Sequence, residues 1–123
     1  MVSFDDFVLR DDCPIYLQII RYVKQGIAAG MIRNQEEIPS RRALSALLGV
    51  NPNTIQKAYH ILEEEGVIVS RSGAKSFVCA NGETVSRIRM ELLTGDTELW
   101  VNAMKRLGMT REDALKLAED VWG

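Results

Sequence analysis

Residues 40–66, "SRRALSALLGVNPNTIQKAYHILEEEG", constrain the fold more than any other stretch of the chain. Ser40 is a good N-cap, Ala43, Leu44, Leu47 and Leu48 recur at helical spacing behind it, and Gly49 stops the element. Asn51 then caps a second helix with Pro52 in its first turn. Ile55, Ala58, Tyr59 and Leu62 form that helix's apolar stripe, and Gly66 ends it. Two short helices joined by a tight Gly-containing turn predict a helix-turn-helix over 40–65, whose second helix, 51–65, can enter a DNA major groove. Next, "VIVS" and "SFVC" flank "RSGAK", which predicts a hairpin with a Gly turn over 67–79. The combination is a winged helix-turn-helix.

Charge is ordered unusually along the second helix. Acids normally favour a helix N-terminus and bases its C-terminus, each opposing the local dipole. Here Glu63, Glu64 and Glu65 crowd the end, while Asn53, Thr54, Gln56 and Lys57 open the helix with no acid among them. Asn53, Lys57, His60 and Glu64 form a stripe separate from the apolar one. The free N–H groups of the first turn can receive a phosphate, and Asn53 and Gln56 can read base edges. The glutamates read as a solvated helix end. Ser40, Arg41 and Arg42 open the preceding helix with donors and cations. Arg71, Ser72 and Lys75 lie at the hairpin tip. Three basic spots thus fall where a winged helix meets DNA, although the whole chain carries a net charge of −2.

Upstream, "FDDFVLR" reads as an extended or irregular lead-in, with Asp12 as cap ahead of Pro14. Ile15, Tyr16, Ile19, Ile20, Val23 and Ile27 predict a helix over about 14–29 that stops at Gly30, and "MIRNQEEI" is a connector. Downstream, Val85, Ile88 and Leu92, then Leu99, Ala103, Met104 and Leu107, predict amphipathic helix with a break at Gly95. Thr110 and Asp113 form an approximate capping box ahead of Leu115, Ala118, Val121 and Trp122. About 40 residues of helix make a poor core alone, so Leu92, Leu99, Trp100, Ala103, Met104, Leu107, Leu115 and Trp122 are expected to pack on a second copy. The fold class expected is mainly α (α+β): a winged helix-turn-helix over 12–80 and a helical dimerisation tail over 81–123.

Other chemistries find little support. Hydrophobic residues make up 46% of the 123 and charged residues 26%, which is ordinary globular composition. The apolar runs are far too short to span a bilayer and the acidic N-terminus does not resemble a signal peptide, so a cytoplasmic protein without a membrane partner is expected. Cys13 and Cys79 offer no zinc-type spacing, and Cys79 reads as a small buried residue. No metal, cofactor or phosphate loop is expected. His60, the one histidine, has no nucleophile beside it, so nothing points to an enzyme. The tail looks too short to enclose a ligand cavity of about 300–1,000 Å³ within one subunit. A small-molecule effector between subunits near Trp100 stays open.

The segments "PIYLQIIRYVKQGIAAGMI", "IPSRRALSALLGVNPNTIQKAYHILEEEGVIVSRSG" and "SFV" closely resemble the GntR family of bacterial transcription regulators over about residues 12–79. The short helical tail resembles the YtrA-type subfamily. The resemblance implies a homodimer with one winged domain per operator half-site. It implies a DNA contact at Arg42, a recognition helix opened by Asn51, Pro52, Asn53 and Thr54, and a wing glycine at Gly73 that lets the tip approach the minor groove. The chain departs from the family's Gly-Lys-Gly-Thr wing with "GAKS", which lacks the second glycine and shifts the lysine to Lys75. The function expected is a dimeric, sequence-specific DNA-binding repressor on a double-stranded, pseudo-palindromic operator. Arg41, Arg42, Lys57 and Arg71 would hold phosphates, and Asn53, Gln56 and Arg42 would read bases. The alternative is a winged-helix protein-interaction module without specific DNA binding.

Overall fold

In the computed structural model, which describes residues 1–71, 73 and 75–123, the apolar stripes predicted for the first three helices converge on one core. The elements in chain order are α1 (Ile15–Ala28), β1 (Glu37–Ile38), α2 (Arg41–Leu48), α3 (Pro52–Glu64), β2 (Ile68–Arg71), β3 (Lys75–Val78), α4 (Gly82–Arg106) and α5 (Arg111–Trp122). Contacts divide the chain into two units, Met1–Arg89 and Met90–Gly123, with α4 running through the division.

In the first unit, Ile19, Val23 and Ile27 of α1, Leu44 of α2, and Ile55, Ala58, Tyr59 and Leu62 of α3 are all buried. Val67, Ile68, Val78 and Ile88 join them. Each such large apolar side chain contributes about 1.5–3 kcal/mol. The tight turn between α2 and α3 is built as the sequence demands. Gly49 adopts φ 66°, where a side chain would be strained, and the Ser45 hydroxyl donates to the Val50 carbonyl at 2.6 Å.

The sheet holds a strand the sequence does not announce. Its order is β1-β3-β2, all antiparallel, with Ile38 opposite Ser76 and Ser70 opposite Ser76 on the other side. β1 lies inside the expected connector. It is two residues long and defined by backbone pairing to β3, which leaves no periodicity to read.

Two more expectations are corrected, and the irregular lead-in gains contacts the sequence does not announce. The lead-in is a packed arm: Val2 and Phe4 are buried, the Phe4 ring stacks on Tyr22 at 4.9 Å, and Val2 N–H donates to Glu37 O at 2.8 Å. Asp12 does not cap α1. Pro14 itself takes the N-cap position without a side-chain cap bond, and Asp12 pairs with Arg10 instead. Gly95 does not break the tail, since α4 runs unbroken through it, and a mid-helix glycine costs only about 0.5–1 kcal/mol.

The helical glycines Gly95 and Gly26 therefore predict opposite outcomes for alanine. A Cβ on Gly95 meets nothing within 4 Å, so Gly95→Ala is expected to stabilise by about 0.5–1 kcal/mol. A Cβ on Gly26 would lie 2.5 Å from Ile32 Cδ1 and 2.8 Å from its Cγ1, and Ile32 is buried. Gly26→Ala is expected to destabilise by about 1 kcal/mol or more despite its better helix propensity. Denaturant unfolding of both variants checks the pair, and a stabilised Gly26→Ala would contradict this packing.

Candidate nucleic-acid interface

Two helix N-termini in the first unit are capped, free of acid and exposed. At α2, Ser40 Oγ accepts a bond from Ala43 N–H at 3.1 Å, which leaves the hydroxyl proton to donate outward. At α3, Asn51 Oδ1 accepts from Asn53 N–H at 2.8 Å, so its amide NH₂ group stays available. Neither helix has an acidic residue in its first turn. Asn51, Asn53, Gln56 and Lys57 are exposed and Thr54 is half-buried. Donors and an unopposed positive dipole end thus face outward from the stretch singled out by its charge order.

The cations are held differently from one another. Arg42 is exposed and has no hydrogen-bond or ionic partner among the described residues. Arg41 Nη2 sits 2.7 Å from Glu63 Oε1, with its guanidinium 5.1 Å from the centre of the Tyr59 ring. Lys57 Nζ lies 4.0 Å from the centre of the Tyr16 ring, a contact that orients the ammonium without neutralising it. Tyr16 was expected only as part of the α1 apolar stripe; the contact its half-buried ring makes with Lys57 is one that helical spacing cannot reveal. Arg71 lies over the Phe77 ring and bonds to Gln35. Gly73 is exposed at φ 80°, as a turn glycine requires. Lys75 is exposed, while Ser72 and Ala74 lie outside the described residues. A groove of about 260 Å³ between the start of α2 and the wing brings together Ser40, Arg41, Gly73 and Lys75.

Glu63 and Glu65 are not a solvated end, whereas Glu64 is exposed. Glu63 Oε1 accepts from both Arg41 Nη2 and Ser70 Oγ at 2.7 Å. Glu64 lies 2.9 Å from His60 Nε2, and Glu65 lies 2.9 Å from the buried Lys24 of α1. The Glu65 carbonyl accepts from Arg87 of α4 at 3.1 Å. Cations from α1 and α2 offset the unfavourable dipole there, which the linear sequence cannot display. The Ser70 hydroxyl first, and then the Arg41 guanidinium, hold the Glu63 carboxyl below the usual carboxylate range against an opposing desolvation. Burial pushes the Tyr59 hydroxyl well above its ordinary value; it donates to Pro39 O at 2.7 Å.

A depressed folded-state pKa means that Glu63 contributes stability above its unfolded value, about 4.3, and that this contribution is lost as pH falls through the folded value. Glu63→Gln is therefore expected to melt lower than wild type at neutral pH and to lose less stability on acidification. Thermal melts taken between about pH 3 and 7 check this. Parallel curves for the two proteins would remove Glu63 from the acid response.

In the second unit the expected interface residues are largely uncovered. Leu99, Leu107, Leu115 and Trp122 are exposed, and Leu92, Trp100, Ala103 and Met104 are half-buried. Within residues 90–123 only Ala114 is buried. The tail forms an open groove of about 370 Å³ between α4 and α5, lined by Trp100, Val101, Met104, Met109, Ala114 and Leu115 among others. Thr110 Oγ1 caps α5 by accepting from Asp113 N–H at 3.1 Å. Cys13 is exposed and Cys79 half-buried rather than buried, both as free thiols. Among the described residues no cluster of three or more His, Cys, Asp or Glu side chains could hold a metal, and no helix is long and apolar enough to cross a membrane.

Residues 15–78 match the family model described as bacterial regulatory proteins, gntR family. The chain is 33% identical over 103 residues to the uncharacterized HTH-type transcriptional regulator YhcF of Bacillus subtilis (strain 168), across 84% of this chain and 85% of that one. It is 37% identical over 75 residues to the HTH-type transcriptional repressor YtrA of the same organism, across 61% and 58%. Among solved structures, a GntR family transcriptional regulator from Listeria monocytogenes superposes with a TM-score of 0.81 at 28% identity, covering 91% of this chain and 98% of that chain. AraR(DBD) in complex with operator ORX1 superposes at 0.52 and 27% identity, covering 58% and 93%.

Proposed function

The chain belongs to the gntR family of bacterial regulatory proteins, and from that premise we infer that it acts as a homodimeric, operator-specific repressor. The family and the relatives are transcription regulators, not enzymes, and carry a DNA-binding domain. The proposal assigns operator binding to residues 12–80 and dimerisation to the helical residues 81–123. α3 enters the major groove, and the hairpin of β2 and β3 reaches the adjacent minor groove. Ser40, Asn51, Lys57 and Arg71 meet phosphates, while Arg42, Asn53 and Gln56 meet base edges, with Thr54 at the rim and Gly73 at the wing tip.

The observation that carries this reading is the pair of exposed, acid-free helix N-termini, with Glu63 and Glu65 at the far end of α3 paired to Arg41 and Lys24. Repression is supported by the likeness to the transcriptional repressor YtrA, and the duplex by the AraR complex. A second copy is supported by the uncovered apolar side chains of α4 and α5, since exposed apolar patches mark association sites. Two such domains read half-sites whose centres are about 34–36 Å apart.

Selection of binding duplexes from a random-sequence pool tests the proposal. An inverted repeat with that spacing, bound less tightly as salt rises, is the expected result. Recovery of no preferred duplex would contradict it.

A further inference from the structure

Glu63 Oε1 gathers two donors from different parts of the interface: Arg41 Nη2 from the first residue of α2, and Ser70 Oγ from the wing strand β2, each at 2.7 Å. The Arg41 guanidinium also rests on the Tyr59 ring, whose hydroxyl is itself fixed to the Pro39 carbonyl two residues before Arg41. Ser70 Oγ is 3.4 Å from Ser76 Oγ across the β2–β3 pair. Arg41 and Glu63 are each 30% exposed. Charge-assisted bonds of this kind, combined with stacking on a ring, fix a planar guanidinium far better than an open surface pair does.

The geometry points to Glu63 as a positioning residue of the DNA interface, and to Arg41 as an internal strut rather than a phosphate ligand. Glu63 ties the start of α2, which presents Arg42, to the strand that leads into Arg71. It thereby sets the spacing between contacts made in the major groove and contacts made at the wing. A cation already neutralised within the protein releases no counterion when the duplex binds. The inference rests on the operator reading above and adds to it a division of labour between adjacent arginines: Arg42 meets the nucleic acid, and Arg41 holds the surface that does so.

Dissociation constants measured between about 50 and 200 mM salt test this, because each phosphate contact contributes about −0.9 to the log–log slope. The probes are a duplex that the wild-type protein selects from a random pool and a scrambled duplex of the same composition. Lys57→Gln serves as the reference for a released phosphate contact and is expected to flatten the slope by about 0.9 per bound subunit. Arg41→Gln is expected to keep the wild-type slope while losing several-fold in preference for the selected duplex over the scrambled one. Arg41→Lys, which can still pair with Glu63, is expected to keep both slope and preference. Glu63→Gln frees Arg41 and is expected to steepen the slope. Melting curves identify any variant that fails to fold, and the slope of the remaining variants still decides. Flattening by Arg41→Gln as large as that of Lys57→Gln, an unchanged slope in Glu63→Gln, or an unchanged preference in Arg41→Gln would each overturn the inference. Those failures occur with a wild-type protein that selects a duplex. A wild-type protein that selects none would instead overturn the operator reading itself.

Discussion

Leu99→Asp combined with Leu107→Asp is expected to yield a folded monomer that binds its operator roughly 10²–10⁴-fold more weakly than wild type. Leu99 lies on α4, Leu107 directly follows its last residue, and both are at least 70% exposed, so the single chain loses little packing when they change. A dimer would lose apolar contact and would have to bury carboxylates instead. The affinity loss follows because tethering two half-site readers makes the second binding event intramolecular, at an effective concentration near the millimolar range. Sedimentation and operator binding on the same preparation check both parts. A double variant that stays dimeric would move the interface away from Leu99 and Leu107. A monomer that binds the full operator as tightly as wild type would remove dimerisation from recognition.

Arg42→Ala is expected to cost about 1–3 kcal/mol of operator affinity per half-site if its guanidinium reads a guanine in bidentate fashion. Arg42 is the second residue of α2, exposed, and without a partner among the described residues. Its loss leaves no buried group unsatisfied, so the melting temperature is expected to stay near that of wild type. Its neighbour offers an internal contrast, because Arg41 is paired with Glu63 and stacked on Tyr59. An Arg42→Ala protein with full affinity and unchanged base preference would exclude Arg42 from readout.

The helix-turn-helix was legible because its signals are local. Caps at Ser40 and Asn51, the turn at Gly49 and the stripe of Ile55, Ala58, Tyr59 and Leu62 each depend on neighbours within a few residues. What escaped the sequence depends on partners far along the chain. β1 exists through backbone bonds to β3, some 39 residues away by its Glu37–Phe77 and Ile38–Ser76 pairing. Val2 and Phe4 are buried because the arm folds back on α1 and Glu37. Glu63 and Glu65 read as solvated because Arg41, Ser70, Lys24 and Arg87 come from four different elements. The same glutamates answer why the front of α3 carries no acid. The acids are used at the far end as joints, and the near end keeps its donors and dipole for an outside partner.

That near end is the central claim, and amide chemical-shift mapping of the whole protein titrated with its selected duplex tests it most directly. The account predicts the largest perturbations at residues 40–42 and 51–57, with further changes at Arg71 and Gly73. Perturbations confined to residues 90–123, with residues 51–57 unmoved at saturation, would contradict it.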